Sequence, residues 1–174
     1  LTLIPASDLA VGIVNFIITA TIRPQILPKL DFSKGIPPDH HTLVVMPTML
    51  TNESSVRNLL ERLEIQYLAN PKSGLSFALL TDFMDADREH LPSDDDLLGL
   101  ARDGVVALNN RYSDDENVRF YLLHRRRQWN DESQLWMGWE RKRGKLAELN
   151  RLLRGATNTS YAVGDALEVV LRSV

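Results

Sequence analysis

The pattern of apolar positions predicts three strands, each followed by a helix. Short apolar runs without strict alternation indicate strands that are buried on both faces. We place these strands at His41–Met46, Leu75–Leu80 and Asn117–Leu123. Apolar residues then recur with helical spacing over Asn52–Leu68, Asp95–Tyr112 and Glu140–Arg154. This order predicts an α/β fold in which a parallel sheet carries helices on both faces.

The carboxyl ends of the predicted strands are the expected ligand-binding edge, as in other open parallel sheets. The chain leaves the strands at Pro47–Asn52, Thr81–Asp87 and His124–Trp129, and we expect Pro47 and Thr48 to stop the first strand. The loop after the first strand offers hydroxyls and the start of a helix. The loop after the second strand offers carboxylates, and the loop after the third strand offers guanidinium groups.

Charge changes sign along the chain although the net charge is only -3. Ser76–Glu116 carries eleven acidic and three basic residues, whereas Arg119–Arg154 carries ten basic and four acidic residues. The two segments are either opposite walls of one cleft, suited to an anionic ligand with a polar head, or two solvated faces.

Composition and missing motifs exclude several classes of protein. The 174 residues suit one folded domain, and the absence of cysteine excludes disulfides, thiolate zinc sites and cysteine nucleophiles. The chain has no P-loop and no G-x-G-x-x-G or G-x-S-x-G motif, which disfavours classical nucleotide triphosphatases, dinucleotide enzymes and serine hydrolases.

The chain begins with an apolar stretch over Leu9–Ile22, which predicts a helix capped by Ser7 or Asp8. Fourteen residues are too few to cross a bilayer, so we expect this helix to dock on another part of a larger protein, to lie at a membrane surface or to pack on the core. Prolines follow at positions 24, 28, 37 and 38, and we place a domain boundary there, between 1–38 and 39–174.

Several polar and aromatic residues have both a functional and a structural interpretation. Asp82 could accept hydrogen bonds from a base or ribose, or it could form a turn. Asp85 and Asp87 are either metal ligands or loop formers. The three tryptophans either stack on a sugar or base or pack in the interior; they are Trp129, Trp136 and Trp139.

Six segments together resemble the cyclic β-1,2-glucan synthases of Gram-negative bacteria. They are LPKLDFSKGIP, TLVVMPTMLTNESSVRNLLERLE, FALLTDFMDA, LNNRY, FYLLHRRRQWN and WMGWERKRGKLAELNRLLRG. The resemblance runs from about Ser7 to the last residue, and it implies part of a very large inner-membrane enzyme. It also implies the N-terminal half of a Rossmann-like glycosyltransferase domain of the A type.

The resemblance implies UDP-glucose as donor and a growing β-1,2-glucan as acceptor. In similar processive transferases such as cellulose synthases, a P-T-x-N-E-like motif contacts uridine. Pro47, Thr48, Asn52 and Glu53 match it with two extra residues between. An aspartate after the second strand contacts uracil there, and Asp82 stands at that position.

A basic K-x-G-x-L-N motif meets the diphosphate in the same transferases. Lys142, Gly144 and Leu146 match it, whereas Asn150 stands three residues late. We therefore expect Lys142, Arg143 and Lys145 to contribute to a diphosphate clamp.

The family continues into a D-A-D metal motif, an acceptor base and membrane-proximal helices that are absent from this sequence. We therefore expect the divalent metal, Mg or Mn, to bind mostly outside this chain, and Asp85-Ala86-Asp87 not to be its site. The fragment should bind UDP at most, without turnover or nucleic-acid binding, at the cytoplasmic face of the inner membrane beside the rest of its polypeptide.

Two other classes of function stay open. One is a non-catalytic module that binds RNA or a protein partner through the basic surface of Arg125–Arg154. The other is a domain that docks on a membrane or a subunit through Leu9–Ile22.

Overall fold

The computed structural model describes residues 3–22, 32, 35–71, 74–112 and 118–162. The chain divides into two compact units, Leu1–Ser33 and Lys34–Val174. The prolines at positions 24 and 28 and the predicted strand start at Asn117 lie outside the described residues.

The described part of the first unit contains one helix, α1, over Leu3–Thr21. It begins earlier than Leu9, so Ser7 and Asp8 lie inside the helix and do not cap it. Ile4–Thr21 is the one stretch in the described part of the chain that is long and apolar enough to cross a membrane by length and composition. The estimate of fourteen residues was therefore too short.

The second unit contains the predicted strand–helix order with one addition. The strands are β1 (Thr42–Leu50), β2 (Leu75–Phe83), β3 (Phe120–His124), β4 (Gln128–Asn130) and β5 (Leu135–Met137). The helices are α2 (Glu53–Ala69), α3 (Asp94–Tyr112) and α4 (Arg141–Leu153). A short 3-10 helix over Pro38–His40 precedes β1.

Strands β1, β2 and β3 form a parallel sheet in that order. Side chains alternate across β2, so Phe77 and Leu79 pack towards α2 and α3, whereas Ala78 and Leu80 pack towards α4. Burying each large apolar side chain stabilises the fold by roughly 1.5–3 kcal/mol. The predicted α/β fold, with a parallel sheet and helices on both faces, is confirmed.

Two strand boundaries differ from the prediction. β1 continues through Pro47 and Thr48 to Leu50, so Pro47 does not stop it. Among the described residues β1 pairs only with β2, and a proline is tolerated in an edge strand because a missing donor there breaks few ladder hydrogen bonds. β2 likewise continues to Phe83, which places Asp82 inside a strand rather than in a loop.

The connection before α4 holds an antiparallel hairpin, β4–β5, that the sequence pattern did not predict. Trp129 and Trp136 are directly paired across it. Two backbone hydrogen bonds of 3.0 and 2.9 Å join Trp136 to Ala86, so the hairpin is fastened to the loop that follows β2.

Candidate functional site

A buried ion pair lies at the carboxyl edge of the sheet, where β2 and β3 end. Thr81 and His124 are partners in the parallel register, so the next residues, Asp82 and Arg125, follow on neighbouring strands. Arg125 donates from Nε to Asp82 Oδ1 at 2.8 Å and from Nη2 to Asp82 Oδ2 at 2.9 Å. Asp82 is 3% exposed and Arg125 is 1% exposed. Two parallel hydrogen bonds of this kind fix both the position and the orientation of the carboxylate.

Lys145 joins this pair from the second turn of α4. Its Nζ lies 3.1 Å from Asp82 Oδ2 and donates to the backbone carbonyl of Thr48, two residues before the end of β1. Burial lowers the pKa of Lys145, and the neighbouring Asp82 opposes that shift. The structure therefore brings together three of the residues singled out in the sequence: Thr48, Asp82 and Lys145.

Glu148 supplies a second buried carboxylate one turn further along α4. Arg125 Nη1 lies 3.3 Å from its Oε2, and the hydroxyls of Ser160 and Thr159 each donate to it at 2.8 Å. Burial acts to raise the pKa of Glu148, but the hydrogen bonds from the backbone amide of Ser160, from the two hydroxyls and from Arg125 outweigh burial, and the pKa is lowered. We call Asp82, Arg125, Lys145 and Glu148 the ion cluster; its two cations balance its two carboxylates.

The backbone of Gly138–Arg141 lies across the ion cluster. Arg125 donates to the carbonyls of Trp139 and Arg141, each at 3.2 Å. A Cβ atom on Gly138 would lie 2.7 Å from the Asp82 carboxylate, so only glycine fits this close approach. Glu140 and Arg141 have φ values of 47° and 44°, a left-handed conformation that costs energy outside glycine.

The other predicted diphosphate residues lie outside the ion cluster. Lys142 and Arg143 are exposed on the first turn of α4, and Arg143 pairs with Glu140 on the same turn. Of the residues matched to the uridine motif, Pro47 is half-buried, whereas Asn52 and Glu53 are exposed at the start of α2. Asn52 caps that helix, because its Oδ1 accepts from Ser55 N at 2.9 Å.

A second buried ion pair ties the loop after β2 to the sheet. Arg127 binds both oxygens of Asp94, donates to the carbonyls of Met84 and Glu89 at 2.6 and 2.9 Å, and lies 4.9 Å from the Phe83 ring centroid. Burial acts to raise the pKa of Asp94, but Arg127 and the amide of Leu91 lower it. Arg127 is therefore a structural cation.

The exposed basic surface over Arg125–Arg154 is smaller than the sequence predicts. Arg125 and Arg127 are buried, and of that triplet only Arg126 is exposed. Two of the exposed cations on α4, Arg141 and Arg143, pair with Asp85 and Glu140. Lys142 and Arg151 are exposed on the same helix.

His124 is a buried residue whose importance the sequence did not reveal. Burial lowers its pKa to about 4, so the ring is neutral at neutral pH. Its Nδ1 lies 2.9 Å from Thr81 Oγ1, whereas its Nε2 is buried without a hydrogen-bond partner in the described part of the chain. Arg125 and Glu148 were missed as well; Glu148 stands among the inward-facing leucines of α4, which is an unusual place for a carboxylate.

Comparison with curated proteins gives one informative match. The chain is 46% identical over 161 residues to the cyclic beta-(1,2)-glucan synthase NdvB of Rhizobium meliloti (strain 1021). The chain is similar to part of a cyclic β-1,2-glucan synthase. This match confirms the resemblance that the sequence motifs indicated.

The match covers 92% of this chain but only 6% of the length of the synthase from Rhizobium meliloti. The chain therefore corresponds to a small part of that protein. No protein-family model matches the chain.

Proposed function

We propose that this chain is the nucleotide-sugar-binding part of a glycosyltransferase that moves glucose from UDP-glucose to a growing β-1,2-glucan. The observation that carries the proposal is the convergence of Thr48, Asp82 and Lys145 at the carboxyl edge of a parallel sheet. Open α/β sheets bind their ligands at that edge. The similarity to a glucan synthase supplies the substrate class.

In this proposal the diphosphate meets the amino end of α4. Lys142 and Arg143 are exposed there, and the first turn of a helix attracts anions through its free N–H groups and its dipole. Arg143 would exchange its pairing with Glu140 for a phosphate oxygen. Pro47, Asn52 and Glu53 would line the uridine side, beside the helix start of α2.

Asp82 reaches uracil in this proposal only if Gly138–Arg141 moves. Both of its oxygens are engaged by Arg125 and Lys145, and the glycine backbone covers it. The left-handed residues Glu140 and Arg141 make this segment the most strained part of the site. Displacing it would uncover the Asp82 carboxylate.

The divalent metal expected for the whole enzyme does not fit the described residues. They contain no group of three or more His, Asp or Glu side chains that could hold an ion. Asp85 pairs with Arg141 at 2.5 Å, and Asp87 lies 3.6 Å from Arg88. We therefore assign to this chain the donor-binding step alone, in an inverting transfer whose metal ligands and acceptor base come from other parts of the polypeptide.

The same proposal places α1 at the cytoplasmic face of the bacterial inner membrane. The hydroxyls of Ser7, Thr19 and Thr21 donate to carbonyls one turn earlier, at 2.7, 2.8 and 2.6 Å. Such bonds leave fewer polar groups in need of water, which suits an apolar environment. Flotation with liposomes should carry the chain upwards, and replacing Val14 and Ile17 by lysine should abolish flotation.

Calorimetric titration of the 174-residue chain with UDP tests the donor site. Replacing Lys142 and Arg143 together by alanine should weaken binding by roughly tenfold or more, because charge-assisted contacts each contribute about 1.5–3 kcal/mol. The matched control replaces Arg151 and Arg154, which are exposed at the other end of α4, and should leave the affinity within about twofold.

Two outcomes would count against this assignment. One is UDP affinity that is the same in the Lys142/Arg143 variant and in the control. The other is binding of a generic RNA oligonucleotide that falls steeply with salt while UDP has no effect, which would favour the nucleic-acid alternative.

A further inference from the structure

A groove of about 320 Å³ lies beside the β4–β5 hairpin and is not part of the ion cluster. Its walls are formed by Glu89, Arg126, Arg127, Gln128, Trp129 and Trp136. A volume of this size lies at the lower end of the range for small-molecule sites. The hairpin that forms it is the element that the sequence pattern did not predict.

Two indole rings form the apolar wall of this groove. Trp129 and Trp136 are arranged edge to face, with ring centroids 5.9 Å apart and an interplanar angle of 61°. Trp129 is 44% exposed, and its Nε1 donates to Asp131 Oδ1 at 2.8 Å, which fixes the direction of the ring. Trp136 is held by the two backbone hydrogen bonds to Ala86. The aromatic surface is therefore oriented before any ligand arrives, which lowers the entropy cost of binding.

The polar wall carries side chains whose hydrogen-bond donors and acceptors are not all used within the protein. Arg126 and Gln128 are exposed, and their side chains have no hydrogen-bond partner among the residues that the structure describes. Glu89 is also exposed, and its Oε1 lies 3.7 Å from His90 Nε2. A guanidinium, an amide and a carboxylate offer both donors and acceptors to a ligand.

The balance of positive and negative side chains in the groove indicates which class of ligand it would bind. Arg127 is neutralised by Asp94, so Arg126 and Glu89 are the remaining charges and they cancel. A balanced wall of this kind gives no electrostatic advantage to a phosphate chain or nucleic acid. A ring with an apolar C–H face and hydroxyls around its rim would satisfy both walls, and a pyranose has that form.

We propose that this groove binds glucose units of the β-1,2-glucan, with a pyranose face on Trp129 and hydroxyls on Glu89, Arg126 and Gln128. This inference rests on the proposed function for the identity of the sugar. Arg125 precedes Arg126 directly, and Gly138 follows Trp136 by two residues, so the groove and the ion cluster are built on the same two chain segments. The glucan would thus be held beside the donor site.

Calorimetric titration with a β-1,2-linked glucotetraose tests the groove. The 174-residue chain should be kept in a detergent without sugar groups, and a β-1,4-linked glucotetraose gives the linkage control. We expect the β-1,2 ligand to bind, and the Trp129→Ala variant to lose roughly tenfold or more in affinity, as truncation of an aromatic anchor does elsewhere.

The matched control is Trp139→Ala, because Trp139 is exposed to a similar extent, 46%, and does not line the groove. It should bind the tetrasaccharide within about twofold of the unmodified chain. Equal losses in the two variants, or absence of binding to the unmodified chain, would overturn the proposal. Tighter binding of a uridine oligonucleotide than of the glucan at this groove would overturn it too.

Parallel titrations separate this proposal from the donor-site proposal. The double Lys142/Arg143 alanine variant should keep its glucan affinity, and Trp129→Ala should keep its UDP affinity. If UDP fails to bind while the glucan binds and depends on Trp129, the groove is supported and the donor site fails. If UDP binds and the glucan does not, the groove fails alone.

Discussion

Asp82 and Arg125 follow paired residues on neighbouring parallel strands, and two hydrogen bonds of 2.8 and 2.9 Å join their side chains. Both are almost completely buried. A buried ion pair adds little net stability compared with apolar residues of the same volume, but loss of one partner leaves an uncompensated charge. The pair is therefore costly to break, and it fixes how the strand ends are arranged.

Replacing Asp82 by asparagine should lower the free energy of unfolding by about 3–5 kcal/mol, because Arg125 and Lys145 lose their shared carboxylate. Denaturant unfolding measures this loss. The matched change Asp85→Asn removes a pairing with the exposed Arg141 and should cost less than about 1 kcal/mol. Similar losses of unfolding free energy in the two variants would mean that the ion cluster contributes no more to stability than the pairing of Asp85 with Arg141.

Replacing Gly138 by alanine should destabilise the chain by about 1–3 kcal/mol, since the new Cβ atom would meet the Asp82 carboxylate at 2.7 Å. Gly99→Ala is the control within α3, where the added atom meets nothing within 4 Å. That variant should be stabilised by up to about 1 kcal/mol. Thermal unfolding of both variants checks the prediction. If Gly138→Ala leaves the stability unchanged, the segment above the ion cluster can shift at little energetic cost.

Acid should destabilise the chain through His124, whose pKa falls from 6.5 to about 4 on folding. Between those values the unfolded chain binds a proton that the folded chain does not, so stability is complete above about pH 6.5 and falls towards pH 4. The full effect is about 3 kcal/mol. His124→Asn should flatten this part of the curve of unfolding free energy against pH, and an unchanged slope in that variant would contradict the prediction.

Replacing Arg127 by lysine should destabilise the chain by roughly 2–4 kcal/mol, because an ammonium cannot reach Asp94 and two carbonyls as a guanidinium does. Limited proteolysis should then cut more readily between residues 84 and 93, where Arg127 holds the loop. Arg126→Lys is the control, and its stability should stay within about 0.5 kcal/mol of the original. Unchanged cutting in the Arg127 variant would refute a role in holding this loop.

The fold could be predicted because its signals are local and agree with one another. Buried apolar runs and leucine spacing identify the three parallel strands and the helices α2, α3 and α4. The rule for strand ends places Asp82 at the ligand-binding edge, whereas the reversal of charge leaves open whether the basic segment of α4 meets it across a cleft. In the structure this contact is made by Lys145, which points inward, and not by the exposed Lys142.

The details of the ion cluster could not be predicted because partner choice depends on register and burial. Arg125, Arg126 and Arg127 look alike in the sequence, yet the first and third are buried and the second is exposed. The β4–β5 hairpin escaped prediction because strands of three residues are too short to show a period. Its turn also lacks the glycine that usually marks such a turn. The left-handed position is occupied by Gln134, which has a φ of 52°.

The position of Pro47 in β1 bears on how the isolated chain behaves in solution. In the part of the chain that the structure describes, the outer side of this nine-residue strand is unpaired, and such edges promote aggregation by pairing with strands of other molecules. A proline in the middle interrupts the row of donors that another strand would need. Pro47 therefore disfavours pairing of this edge with a strand of another molecule, independently of any contact with a nucleotide.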